Sequence, residues 1–170
     1  MSCNIDTGRT LPCRDSVGGL KSVRFINYDS AAAIPLVTTA GSEDTVVFGT
    51  WDATNYEYQL KGTSSLTTNI QASRENGTVA FEQVLELTLP KLSKEDNHQI
   101  KLLAWGRPRI VVEDYNGNYF LVGREHGADV TGGTIVTGAA MGDLSGYTIS
   151  FTAMELTPAN LCTGTIAAPS

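Results

Sequence analysis

The sequence lacks a run of apolar residues long enough to cross a membrane as a helix, which takes about 20 in succession. Its N-terminus, MSCNIDTGRTLPC, also lacks the basic start and the apolar stretch of a secretion signal. We therefore expect a soluble protein that is made in the cytoplasm and has no membrane partner.

Cysteine is scarce. Cys3, Cys13 and Cys162 are an odd number of thiols at spacings that match no zinc-binding pattern. Because thiols made in the cytosol are normally kept reduced, we expect free cysteines. A Cys3–Cys13 disulfide, formed later in an oxidising medium, is the alternative.

Positive charge is also in short supply, since 12 Lys and Arg residues stand against 18 Asp and Glu residues and the net charge is −6. Proteins that bind nucleic acid tightly need a clustered excess of Lys and Arg to neutralise phosphates. We therefore predict no tight nucleic-acid partner. A negatively charged surface would instead allow double-stranded DNA to slide past without binding, because like charges repel.

Catalytic motifs are missing as well. His98 and His126 lie far apart in the sequence and in no metal-binding motif such as HExxH. The serines lack the GxSxG pattern, and the glycines of 132–142 precede neither a helix nor the Lys-Ser or Lys-Thr of a phosphate loop. Asp143 is expected to bind the backbone of its own loop. We therefore predict that the protein is not an enzyme and has no catalytic residue, no cofactor and no metal site.

Glycine and threonine are abundant, which favours turns and strands over helices. Hydrophobic residues at 41% and charged residues at 18% are typical of a folded chain. A length of 170 residues is enough for one domain with a real core and short for two. We predict a single, mainly β domain over residues 19–156, with extended arms at 1–18 and 157–170.

The longest periodic pattern predicts a β-hairpin over residues 66–89. Polarity alternates in both arms, and Asn76-Gly77 supplies the positive φ of a tight turn. An arm of about twelve residues spans roughly 40 Å, which is long for a compact domain. We therefore expect something outside the domain to cover part of the hairpin.

One helix is predicted over about residues 94–105. Ser93 has the side chain of an N-cap, and acidic residues follow it in the first turn. Gly106 and Pro108 end the helix, since proline cannot continue it.

The rest of the pattern predicts short strands. Residues 20–28 alternate, residues 46–48 and 56–60 form a plausible strand pair, and a second hairpin surrounds Asn116-Gly117. The loop 29–44 holds at most a short strand at 36–38. A last strand, 147–153, has Thr148, Ser150 and Thr152 on one side. The prediction is a β-sandwich or barrel with one flanking α-helix.

Two stretches of this sequence resemble structural proteins of tailed bacteriophages. One runs from Asn116-Gly117 and the strand at 119–123 through GADVTGGT at 127–134 to GDLSGYTISFT at 142–152, and the other is CRDSVGGLK at 13–21. Within that group the chain is most similar to tail tube proteins. The resemblance implies a virion protein, made in the host cytoplasm, whose hexameric rings stack into the tail tube for DNA ejection. Its implied partners are other copies, other tail or neck proteins, and double-stranded DNA that passes without specific binding.

If strands of six subunits close into one barrel, the polar faces of the strands line its channel. The polar residues of the long hairpin are then the candidate channel lining, namely Thr67, Asn69, Gln71 and Ser73 of its first arm and Glu82 and Glu86 of its second. The N-terminal arm and the loop 38–42 become candidates for contacts between stacked rings.

Two other interpretations stay open. A head-tail connector, a terminator or a capsid decoration protein could share the β-sandwich and the acidic balance. A carbohydrate-binding or cell-binding β-sandwich is a more distant alternative, for which Trp51, Tyr56 and Tyr58 could supply a stacking surface.

Overall fold

The protein was analysed as a computed structural model that describes residue 5 and residues 7–60 and 62–170. This part of the chain forms two β-sheets and one α-helix, a β-sandwich with a flanking helix as predicted. The elements in chain order are β1 (Leu20–Ile26), β2 (Val46–Val47), a short 3-10 helix (Thr50–Asp52), β3 (Tyr56–Gln59), β4 (Ser65–Ser73), β5 (Thr78–Pro90), α1 (Lys94–Trp105), β6 (Arg109–Asp114), β7 (Tyr119–Val122), β8 (Asp129–Val136), β9 (Gly146–Glu155) and β10 (Asn160–Thr163).

The first sheet has four antiparallel strands in the order β4-β5-β9-β8. One side of this sheet is the predicted long hairpin, β4 and β5, which pair without interruption from Ser65 opposite Glu86 to Ser73 opposite Thr78. Gly77 in the connecting turn has a φ of +64°, the left-handed conformation that glycine adopts without strain.

The second sheet has six strands in the order β2-β10-β7-β6-β1-β3. One face packs against the four-stranded sheet through a core that includes Val23, Phe25, Leu85 and Phe151. The other face is covered by residues of the segment after β1, where Ile34 and Phe48 pack with Val111. Because both faces of β6 are buried along its first four residues, Ile110, Val111 and Val112 are consecutive apolar residues rather than alternating ones.

The helix begins and ends as predicted. The Ser93 side chain accepts a hydrogen bond from the backbone N–H of Asp96 at 3.0 Å, and the Gly106 N–H donates to the Leu102 carbonyl. Ile100 and Leu103 pack against the core between the sheets, while α1 also contacts β8. No helix of the described residues is long and apolar enough to cross a membrane.

The predicted pairing of residues 46–48 with 56–60 is wrong. Both strands exist, but β2 pairs in parallel with β10 and β3 pairs with β1, so they lie at opposite edges of the six-stranded sheet. Residues 36–38 form no strand; Val37 instead exchanges backbone hydrogen bonds with Asp44 and Thr45. Local β-propensity predicted where the two strands lie, but their pairing is set by partner strands that are distant in sequence.

The two predicted arms differ. Residues 7–18 are exposed and contain no strand, as expected of an extended arm. The prediction of an extended arm at residues 157–170 is wrong in one respect. β10 lies between β2 and β7 and is part of the sheet. The end of the chain is also fixed, since Ala167 N–H donates to the Asp52 carboxylate and Ser170 N–H to the Asn55 carbonyl.

Candidate assembly surface

The outward face of the four-stranded sheet is mostly polar. Residues directly opposite each other in neighbouring strands point to the same face, so the strand registers define this face. We name it the polar face. It consists of Ser65, Thr67, Asn69, Gln71 and Ser73 on β4, Thr78, Ala80, Glu82, Val84, Glu86, Thr88 and Pro90 on β5, Gly146, Thr148, Ser150, Thr152 and Met154 on β9, and Asp129, Thr131, Gly132, Thr134 and Val136 on β8.

All six residues predicted to line a channel lie on the polar face. Asn69 is directly opposite Glu82, and Ser65 is opposite Glu86. The side-chain amides of Asn69 and Gln71 both donate to one carboxylate oxygen of Glu82, each at 3.3 Å. The hairpin therefore presents a hydrogen-bonded polar surface rather than isolated side chains.

The polar face includes three carboxylates, Glu82, Glu86 and Asp129, and no Lys or Arg. Threonine and serine hydroxyls fill most of the other positions, and the hydroxyl oxygens of Thr131 and Thr152 lie 3.2 Å apart. A surface of this composition repels phosphates weakly and offers no fixed cation to hold them.

Among the residues that the structure describes, no strand pairs with either outer edge of the four-stranded sheet. The edge strands also expose large apolar side chains: Ile70 of β4 is 70% exposed and Ile135 of β8 is 57% exposed. Long edges with exposed apolar residues are a hazard for a protein that stays monomeric, because they template pairing with another chain. That something outside the domain covers part of the hairpin stays a prediction.

β8 was not predicted from the sequence, because Gly132 and Gly133 interrupt its pattern. A bulge between Val130 and Gly132 shifts its register against β9. At Gly133 a side chain would begin 2.6 Å from the Thr148 carbonyl oxygen, so the glycine allows the two strands to approach. The alternation of Thr148, Ser150 and Thr152 was the sequence signal that this sheet extends beyond the hairpin.

Tyr56 is 44% exposed, but most of the other candidate residues have structural partners. Asp143 accepts hydrogen bonds from the backbone of Ala139 and Ala140, as predicted, and these bonds hold the pKa of its carboxyl below the usual range. Trp51 stacks on Phe48 and its indole N–H donates to the Val47 carbonyl. It therefore packs with the cluster of Ile34, Phe48 and Val111 instead of standing free. Tyr58 packs edge-on against Phe25.

One cluster of metal-binding side chain types was not predicted. Glu125, His126 and Glu155 each place one ligand atom within 4.8 Å of the others. The buried Glu155 carboxylate accepts from the backbone N–H groups of Glu125 and His126, at 3.0 and 2.9 Å, and Glu125 pairs with Arg124. These bonds give the cluster a structural role in fixing the loop between β7 and β8.

The cysteine prediction is tested only in part, because Cys3 lies outside the described residues. Cys13 is exposed and Cys162 is buried, and both are free thiols. Burial, followed by the charge of Asp52, raises the pKa of the Cys162 thiol to about 12.

Comparisons with known proteins give no relative. No known protein family, no curated protein and no solved structure matches this chain. The polar face and the two free edges are therefore interpreted from their own geometry.

Proposed function

We propose that this chain is the tail tube subunit of a tailed bacteriophage, a virion protein that self-assembles into stacked hexameric rings around a channel for DNA. The observation that carries the proposal is the four-stranded sheet, which combines two free edges with one continuous polar face. The resemblance at residues 13–21 and 116–152 supports it independently.

Strand direction favours joining the two edges. The four strands alternate in direction, so β4 and β8 run in opposite directions. In a ring, rotation about the ring axis places β4 of the next copy beside β8. This rotation does not reverse the direction of β4, so the new pair is antiparallel, like every other pair in the sheet. Repeating the step closes the sheet into a barrel and removes both edges.

The stagger of the strands sets how steeply they would tilt in that barrel. The registers allow the heights of the two edge strands to be compared along β5. The middle of β4 lies at the level of Glu82, and the middle of β8, followed through β9, lies at the level of Leu87. Joining them requires each copy to shift along the strands by about five residues. The shift must be even, because an odd one would turn the side chains of one strand to the wrong face, so it is four or six residues.

Four strands spaced about 4.8 Å apart, shifted by four residues at about 3.4 Å each, give a tilt of about 35°. A shift of six gives about 47°, and barrel strands typically tilt by 35–45°. The four-residue shift also places Ile70 opposite the next copy's Val130, and Leu66 opposite its Ile135. We therefore favour the four-residue shift, which covers the exposed apolar residues of both edges.

Six copies joined in this way make a barrel about 45 Å across at the backbone, which leaves a channel wide enough for a duplex. The polar face would line it, with Glu82 and Glu86 in every subunit and no Lys or Arg among the lining strands. DNA would then slide without binding, because no counterions are displaced by fixed cations.

The test is negative-stain electron microscopy of the concentrated purified protein. Stacked rings with a central channel would support the tail tube subunit. Single closed rings would favour a connector or terminator, and compact monomers at high concentration would argue for a decoration or binding module. A matched control is Ile70→Lys, which places a charge on the β4 edge at a side chain that is already 70% exposed, and should block rings without unfolding the monomer.

A further inference from the structure

The sequence contains two Asn-Gly pairs, Asn76-Gly77 and Asn116-Gly117, and each lies in an exposed turn between two antiparallel strands. Asparagine is a thermolabile residue. A glycine after it has no side chain, so the asparagine side chain can approach the glycine backbone nitrogen closely. The two turns therefore present the same reactive pair to solvent, and they differ in the hydrogen bonds that hold it.

Hydrogen bonds fix Asn116 on both sides of its amide. Its side-chain oxygen accepts from the Val17 N–H at 2.9 Å, and its side-chain nitrogen donates to the Val17 carbonyl at 2.8 Å and to the Asp114 carboxylate at 3.1 Å. The Gly117 N–H donates to the Asp114 carbonyl at 3.3 Å. The amide that would be attacked and the nitrogen that would attack it are thus both engaged.

Asn76 lacks these restraints. Among the described residues, its side-chain amide has no hydrogen-bond partner, and only its backbone N–H is bonded, to the Ser73 hydroxyl at 3.3 Å. The Gly77 N–H makes no backbone hydrogen bond across the turn, as the Gly117 N–H does. Apart from the chain neighbours of Gly77, no described atom lies within 4 Å of the position that a Cβ would occupy there. Both reacting groups of this pair are therefore free to move.

We propose that Asn76 is a site of spontaneous deamidation and isoaspartate formation, with water as the co-reactant, and that the folded protein protects Asn116 from the same reaction. The Gly77 nitrogen, once its proton has passed to hydroxide, attacks the side-chain carbonyl carbon Cγ of Asn76. The new N–Cγ bond closes a succinimide ring. The Cγ–Nδ2 bond breaks, and the nitrogen leaves as ammonia with a proton from water, which restores the hydroxide.

One water molecule then opens the ring, its hydroxyl going to a carbonyl carbon and its proton to the Gly77 nitrogen. Cleavage of the N–Cγ bond gives aspartate at position 76. Cleavage of the bond to the backbone carbonyl gives isoaspartate, in which the main chain runs through the former side chain. Water is consumed, ammonia is released, and nothing is oxidised or reduced.

Both products change the tip of the long hairpin. Each replaces a neutral amide by a carboxylate, and isoaspartate also adds a methylene to the main chain of the turn. The turn connects the paired residues Ser73 and Thr78, and the length of such a turn helps to fix the strand register. The reaction does not depend on self-assembly. In the proposed ring it would add a negative charge at the hairpin tip of every modified subunit.

The test follows both sites in the intact full-length protein during incubation at mildly alkaline pH. Trypsin cleaves after Lys and Arg, which places the two Asn-Gly pairs on separate peptides, 75–91 and 110–124. Mass spectrometry measures the conversion of each amide to a carboxylate, and an isoaspartyl methyltransferase labels the isoaspartate. We expect Asn76 to convert about tenfold or more faster than Asn116, since one or two hydrogen bonds are enough for that difference in rate.

Two controls separate the structural explanation from a local sequence effect. In guanidinium chloride the two sites should convert at similar rates, because the bonds to Asn116 are lost. Asn76→Gln keeps an amide at the exposed turn position but lengthens the side chain by a methylene, so no succinimide forms and peptide 75–91 should stay unmodified. Equal rates in the folded protein, a lead of Asn76 that persists in the denaturant, or conversion of the Asn76→Gln peptide at the original rate would overturn the inference.

Discussion

The register of the proposed joint between copies can be measured, and we predict a shift of four residues. In that register Thr67 of β4 lies directly opposite the next copy's Thr134 on the polar face, while a shift of six places Asn69 there instead. Both positions are exposed in one copy and far from Thr134 of the same copy, because β5 and β9 lie between them.

Directly opposite side chains in an antiparallel pair have Cβ atoms about 4.5–5.5 Å apart, close to the roughly 3.5–4.5 Å of a disulfide. A diagonal neighbour two residues away lies about 7–8 Å off and cannot form that bond without backbone movement. The structure therefore predicts that Thr67→Cys with Thr134→Cys is oxidised readily, and that Asn69→Cys with Thr134→Cys is oxidised several-fold less.

The assay is non-reducing electrophoresis after mild oxidation of assembled protein that also carries Cys3→Ser and Cys13→Ser. Pairing Thr67→Cys with Thr148→Cys is the control, because Thr148 is level with Thr134 but one strand further from the edge. A ladder of oligomers from the Asn69 pair and not the Thr67 pair would refute the four-residue shift. A six-residue shift would give a barrel with a backbone diameter of about 54 Å, instead of the about 45 Å that a four-residue shift gives.

Three further outcomes are expected. A maleimide reagent at pH 8 should label Cys13 rapidly and Cys162 only after unfolding, because burial raises the pKa of the Cys162 thiol to about 12; mass spectrometry of the labelled peptides measures this. Gly146→Ala should lower the free energy of unfolding by about 1–3 kcal/mol in urea titrations, since a Cβ there would lie 2.2 Å from the Leu89 carbonyl oxygen. Asp114→Asn should destabilise the protein above about pH 5, and the difference from the original chain should shrink as pH falls below about 4.

The pH dependence of the Asp114 prediction follows from the direction of its pKa shift. Burial works to raise the pKa of this carboxyl, but hydrogen bonds from Asn118 and Asn116 outweigh burial and lower it. A lowered pKa means that the ionised carboxylate stabilises the folded state above the pKa of the unfolded chain, and that this stabilisation is lost as pH falls through the folded pKa. A difference that stays constant down to pH 2 would contradict this explanation.

Local signals predicted the hairpin, the helix and the turn at Asn116-Gly117, because each depends on residues close together in sequence. Ser93, for example, caps α1 through a residue three positions away. The pairing of β2 with β10 could not be predicted in this way, since Val46 and Cys162 meet only through the fold of the whole chain.

Only half of the candidate surface was predicted from the sequence. The alternation of residues 66–73 and 78–89 identified the polar residues of β4 and β5, but nothing local indicates that β8 lies two strands further on. Gly133 hides that strand from a propensity argument, although close packing on Thr148 is the reason that the glycine is there. The Glu125, His126 and Glu155 cluster was missed for a related reason, because a loop and a distant strand create it.

In the proposed ring, the even number of strands in the four-stranded sheet also limits how the protein can change over evolutionary time. Gain or loss of a single strand would make the two edges run in the same direction, and every joint in a ring would become parallel. Gain or loss of a whole hairpin preserves the antiparallel joint and changes only the size of the barrel. We therefore expect lineages of such subunits to differ in this sheet by hairpins, and their channel width to change in steps.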